Sequence, residues 1–120
     1  MKYILSLFLV ILAANTFLAQ TGKPVLTEKQ KIEGLIKSIE NLKDAQFWRN
    51  GEYHTPKEAA DHLRMKLGKA GNRIKTAHQF IDNIATKSSM SGEVYKIKFK
   101  DGKVMESKTF LYQKLTEIEK

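Results

Sequence analysis

Fifteen of the first 19 residues are apolar, a density that the rest of the chain never approaches. That asymmetry divides the sequence before any fold is considered. Residues 1–19 read as a secretory signal peptide. Lys2 supplies a short positive start, Ile4 to Leu12 form an almost unbroken apolar core, and small and polar residues follow from Ala13. The apolar core is too short for a membrane span, which takes ~20 residues. Cleavage after Ala19 would leave Gln20 as the first residue of an exported chain, periplasmic or extracellular, with no transmembrane span in its mature form. Beyond the leader stand 101 residues, 35 of them apolar, with a formal charge of +7 once Lys2 is taken from the +8 of the whole chain. Such a length supports one domain, burying ~60–65% of its unfolded surface. The absence of cysteine excludes a disulfide framework, thiolate metal ligation and a cysteine nucleophile.

Local patterns divide the remainder into a flexible linker at 20–26 and a single α+β domain at 27–120. Thr27 and Gln30 make the two halves of a capping box ahead of Ile32, Leu35, Ile36, Ile39 and Leu42, predicting a helix over 27–44. Thr55-Pro56-Lys57-Glu58 opens a second over 56–70, with Leu63 and Leu67 on its apolar stripe. Thr76 and Gln79 open a third over 76–87, burying Phe80, Ile81 and Ile84. Ser107 is the expected cap of a last helix over 107–119, which buries Leu111. Asn50-Gly51 lies between Phe47-Trp48 and Tyr53, a type I′ hairpin signal. The alternation of Tyr95, Ile97 and Phe99 with Lys96, Lys98 and Lys100, closed by Asp101-Gly102, predicts an antiparallel hairpin at 94–106. The expected fold is therefore about four amphipathic helices packed with a small antiparallel hairpin or sheet.

Four linked blocks carry a resemblance. The first is Phe47-Trp48-Arg49-Asn50-Gly51 with Tyr53 or His54, and the second is Glu58-Ala59-Ala60 with His62-Leu63 and Lys66. Arg73-Ile74-Lys75-Thr76-Ala77 with Phe80-Ile81 and Ala85 follows, then Ser88-Ser89 with Ser91-Gly92 and Tyr95. In this order they resemble the YfeK-like family of small exported bacterial proteins, over roughly residues 32–99. The resemblance implies a periplasmic or secreted protein and carries no catalytic assignment. It also implies a cysteine just ahead of the first block in many members; here that stretch reads Lys43-Asp44-Ala45-Gln46.

The chemistry must then be argued from side chains. Glu58, His62 and Lys66 fall at i, i+4 and i+8 on one side of the second helix. His62 is either a ligand-contacting group tuned by Glu58 or a histidine at the core edge bonded to a backbone carbonyl, and the plainer account is preferred. His78 and Asp82 read as a solvated i, i+4 pair. His54 could join His62 and Glu58 at a metal, but no tight metal-ligand spacing supports it, and no metal or cofactor is expected. Ser88, Ser89 and Ser91 offer hydroxyls for an anion or a nucleophile, but the preferred reading is that they satisfy backbone groups in a turn. No Gly-x-Ser-x-Gly or Ser-x-x-Lys pattern accompanies them in the mature chain. Arg49, beside a tight turn, either pairs with an acid or recognises a carboxylate or phosphate through its fork.

Two basic groups complete the inventory: Lys96, Lys98, Lys100 and Lys103 on the second hairpin, and Arg64, Lys66, Lys69, Arg73 and Lys75 along the second helix and beyond. A charge of this sign draws a protein to polyanions, while the aromatic spacing does not match an RNA-reading sheet. The reading is a non-enzymatic binding or interaction module with a basic surface. Its binding residues are Arg49, His62, Lys66, Arg73, Ser88, Ser89 and Ser91, and its partners anionic envelope components or an envelope protein. The alternative is a small hydrolase or metal-assisted enzyme built on His62 and the Ser88–Ser91 loop. A monomer or weak oligomer is expected.

Overall fold

Threonines start three of the helices, each by the same reciprocal device. In the computed structural model, which describes residues 24–120, Thr27, Thr55 and Thr76 accept from the backbone N–H three residues on. Gln30, Glu58 and Gln79 return the bond to the cap's own N–H. These boxes open α1 (Glu28–Glu40), α2 (Pro56–Ala70) and α3 (Ala77–Asn83). Each satisfies two of the N–H groups that a helix start leaves without partners. The strands are β1 (Gln46–Arg49), β2 (Glu52–His54), β3 (Lys96–Lys98) and β4 (Val104–Glu106), and α4 (Ser107–Glu119) closes the chain. A 3₁₀ turn at Gly71–Arg73 follows α2. The leader and most of the linker lie outside the described residues.

The two hairpins form as the sequence predicts. Asn50 (φ 51°) and Gly51 (φ 83°) both take the positive angles of a type I′ turn, and Gly102 (φ 88°) turns β3 back into β4. Sequence patterning did not anticipate their union. β1 pairs antiparallel with β3, with Phe47 opposite Ile97 and Trp48 opposite Lys96, giving one sheet in the order β2-β1-β3-β4. The helices cover one face of it. Ile36 and Ile39 from α1, Ala60 and Leu63 from α2, Phe80 and Ile81 from α3, and Leu111 and Leu115 from α4 converge with Phe47 and Ile97 in one core. α1 touches each of the other helices. It approaches α4 closely at Gly34, where a Cβ would stand 3.3 Å from Ile118 Cδ1.

Four local expectations are corrected. The first helix ends at Glu40 rather than 44: the chain reverses through Asp44, in the left-handed region at φ 57°, to bring Phe47 back over the core. The third ends at Asn83 rather than 87. There the Ala85 N–H reaches back to the Phe80 carbonyl and the Thr86 hydroxyl donates to the Ile81 carbonyl, consuming acceptors that another helical turn would need. Ser107 does not cap α4. Glu106 holds that position without a side-chain bond, and the buried Ser107 donates its N–H to the Tyr95 carbonyl, because β4 runs into α4 with no intervening loop. Leu67 is only half-buried, packing at the edge of the core rather than within it.

Phe80 has no exposed surface and sits among the largest buried side chains. Phe80→Ala should therefore lower unfolding stability by ~3–5 kcal/mol in chemical denaturation, through lost burial and the cavity left behind.

Candidate functional site

β1 alternates Phe47 inward, Trp48 outward and Arg49 inward, which sets the arginine at the end of the core beside α2. Facing it, α2 presents His62 and, one turn on, Lys66. Tyr95, just ahead of β3, lies between them. The Lys66 ammonium donates to the Tyr95 hydroxyl oxygen (3.0 Å), to the Ile84 carbonyl (2.8 Å) and to the Lys87 carbonyl (3.1 Å). All three of its donors are thus spent inside the protein. This leaves the phenol proton for His62 Nε2, 3.4 Å away, with the two rings meeting edge to face.

Every ion pair among the described residues goes to a lysine or to Arg64; Arg49 joins none of them. It is nonetheless half-buried. Its charge is felt nearby. Burial pushes His62 down to about 4, helped by the charge of Arg49 and then Lys66. Lys66 is lowered by burial and by Arg49, and Tyr95 is raised by burial. Glu58 does not tune His62: its carboxylate accepts the Thr55 N–H at 2.8 Å, and this bond, more than the charge of His54 or Arg49, lowers its pKa. A cavity of about 20 Å³ lies among Arg49, His62, Tyr95 and Ser107, room for about one water-sized group.

Around the corner, a groove of about 410 Å³ is lined by Lys66, Lys69, Arg73, Ile74, Asn83 and Ser89. Arg73 is held over the end of α2, with Nε donating to the Ala70 carbonyl and Nη2 to the Lys69 carbonyl. The second basic group is not uniform. Arg64 turns the other way, bonding Glu40 twice and Glu33 once, which raises its pKa. The serine loop is a hairpin tip closed by the Lys87–Val94 bridge. Ser88 is buried, its hydroxyl accepting the N–H groups of Met90 and Ser91. Ser91 donates to Asn50 Oδ1 at 2.6 Å and accepts from the Glu93 N–H, which ties the loop to the first hairpin.

The seven sequence candidates therefore separate. Arg49 and His62 share the small cavity; Lys66, Arg73 and Ser89 line the groove, with Lys66 joined to His62 through Tyr95. Ser88 and Ser91 shape the loop and present no free hydroxyl pair. The His78–Asp82 pair does not form: Asp82 accepts from the Tyr112 hydroxyl at 2.8 Å and meets Lys108 at 3.6 Å, while His78 packs on the Tyr112 ring. Among the described residues, no three His, Asp or Glu side chains gather closely enough for a metal. Tyr95 is the residue that sequence reasoning missed, since its alternation with Ile97 marked it only as core. A buried tyrosine needs a partner for its hydroxyl, and that was the signal available.

Fold and corner together define a small two-layer α+β domain with a small, mostly apolar cavity where the sheet meets α2, bordered by Arg49 and His62. The chain belongs to a family of unknown function, DUF5329, whose pattern matches residues 26–119. It is also similar to the uncharacterized protein YfeK of Salmonella typhimurium, with 46% identity over 68 residues, or 57% of each chain. The aligned region thus spans little more than half the length of that relative. No solved structure matches.

The depressed His62 value has a measurable consequence. The unfolded chain takes up a proton near pH 6.5 that the folded chain refuses until about pH 4. Stability should accordingly be complete above about pH 6.5 and decline as the pH falls through that window. Glu28, Glu40 and Glu58, all lowered from 4.5, add their own losses below it. Thermal melts between pH 6.5 and 5 should show the decline, and His62→Gln should flatten it over that range.

Proposed function

We propose that this chain is an exported, non-enzymatic module that binds an anionic group at the Arg49–His62 corner, with anionic envelope components or an envelope protein as its partner. One observation carries the reading: Arg49 is a half-buried guanidinium outside every ion pair of the described residues, among groups that burial and its own charge drive toward neutrality. A carboxylate or phosphate oxygen would supply the missing counter-charge, and a fork of donors suits either. The cavity beside Arg49 has the volume of one such oxygen rather than of a whole substrate.

The non-enzymatic part draws support from the fate of the hydroxyls. His62 meets the Tyr95 hydroxyl, while Ser88 and Ser91 hold the loop together, so among the described residues neither of these serines is paired with His62. Export rests on residues 1–19, outside the described residues. In the described domain, no helix is long and apolar enough to cross a membrane.

Two experiments test the proposal. In NMR titrations with acetate and with phosphate, saturable shifts should appear at the Arg49 guanidinium and the His62 ring. Arg49→Lys keeps the charge but loses the fork, and should weaken the response by about tenfold or more. Replacing Lys96, Lys98 and Lys100 together by glutamine should leave it in place. Shifts that never saturate, or that survive in Arg49→Lys, would mean diffuse attraction and no formed site. For export, mass spectrometry of the secreted or periplasmic protein should find a chain beginning at Gln20, and recovery of the intact 120-residue chain from membranes would overturn that part.

A further inference from the structure

The helices leave the other face of the sheet open, and its composition is unusual for a solvated surface. Antiparallel sheets commonly turn a polar face to water. Here Trp48, Tyr53 and Val104 stand on it, with Tyr53 46% and Val104 57% exposed, between Lys96 and Lys98. Together with Glu93 they line a shallow depression of about 440 Å³. Trp48 is not free to swing: its indole N–H donates to the Glu93 carboxylate, and its ring meets that of Tyr53 at 5.0 Å and 65°. The Lys98 ammonium lies over the Tyr53 ring, 5.7 Å from its centre. Such a set combines a fixed aromatic surface, one hydrogen-bond acceptor and two cations in a single concavity.

We infer that this face binds an acidic glycan, a sugar chain carrying carboxylates, whose ring packs its C–H face on the aromatic pair while Lys96 and Lys98 meet the acid groups. Size argues against a folded protein. Four strands at ~4.8 Å spacing and three residues at ~3.3 Å rise make a face of ~200 Å², far short of the ~800 Å² per partner of a stable protein interface. Ring geometry argues against single-stranded nucleic acid, which needs successive ring faces on which bases can stack. Trp48 and Tyr53 stand edge to face, so they offer one ring face and one edge. The Glu93 carboxylate suits sugar hydroxyls, which donate. The lysines select for acid over neutral sugar, and Lys98, held over Tyr53, brings the charge to the aromatic surface itself. This surface lies across the sheet from the Arg49 corner, and the inference does not rest on that site.

Trp48 is the sole tryptophan of the chain; it lines this depression and also borders the small Arg49 cavity, so its fluorescence is read together with the Arg49→Lys variant. Titration with a tetramer of galacturonic acid should shift the emission saturably, and the shift should weaken as salt rises. Tyr53→Ala and Lys98→Gln, both surface changes whose folding circular dichroism can verify, should each weaken binding by about tenfold. Arg49→Lys should leave it unchanged, which separates this surface from the anion corner. Three outcomes would each overturn the inference: no saturable shift, an equal response to a neutral glucose tetramer, or tighter binding of a short single-stranded DNA.

Discussion

The pairing of β1 with β3 is the contact on which the rest of the molecule depends. Each hairpin is specified by its own turn, but a two-stranded ribbon alone is marginal in water. Joined through Phe47–Ile97 and Trp48–Lys96, they become a four-stranded sheet with an inner face apolar enough to seat four helices. The same pairing carries Tyr95 in beside α2, where His62 and Lys66 can reach it. Without it, Tyr95 would not be held between His62 and Lys66.

Lys66 is the second constraint, and it is electrostatic. A half-buried ammonium costs free energy unless its donors are used, and here the carbonyls of Ile84 and Lys87 and the Tyr95 hydroxyl take all three. Those carbonyls lie just past the end of α3, where a helix leaves acceptors without partners and where positive charge is favoured. One lysine thus covers the end of α3, anchors the serine loop and fixes the tyrosine that orients His62. The arrangement explains why the charge at the corner is left to Arg49: Lys66 is committed to the backbone, and Arg64 to Glu33 and Glu40.

Features encoded within a few residues were legible in the sequence. Three capping boxes and the Asn50-Gly51 turn need only neighbours, and they stand where the pattern places them. Helix ends were less legible: α1 stops so that Phe47 can return to the core, and α3 stops where the Ala85 N–H and the Thr86 hydroxyl take the Phe80 and Ile81 carbonyls. The joining of the hairpins was not legible, since strands of three or four residues carry too little pattern to select a partner some fifty positions away. At the candidate site, residue type singled out Arg49 and His62, which the fold brings to one small cavity, while the serines follow the turn reading that the sequence favoured. A hydroxyl in a turn has backbone partners within two or three residues, and Ser88 takes them. Glu58 likewise keeps the N3 place that its sequence position gives it, its carboxylate being the return half of a capping box rather than a partner of His62.

Strand periodicity gives the two proposed surfaces an unusual relation. Consecutive residues of a strand face opposite sides of the sheet, so Trp48 and Arg49, adjacent in sequence, serve opposite faces from one short strand. A slip of one residue in the β1–β3 register would place the tryptophan in the core-side corner and the guanidinium on the open face, destroying both surfaces at once. Two contacts oppose that slip. Phe47 is buried beside Ile97, which fixes the inner set, and the Ser91–Asn50 bond pins the turn that follows β1 to the serine loop. That loop leads into the segment carrying Tyr95 and β3, so it ties the two partners of the ladder together outside the ladder itself. Ser91 matters here as a register clamp: its hydroxyl holds in place the strand that carries both surfaces.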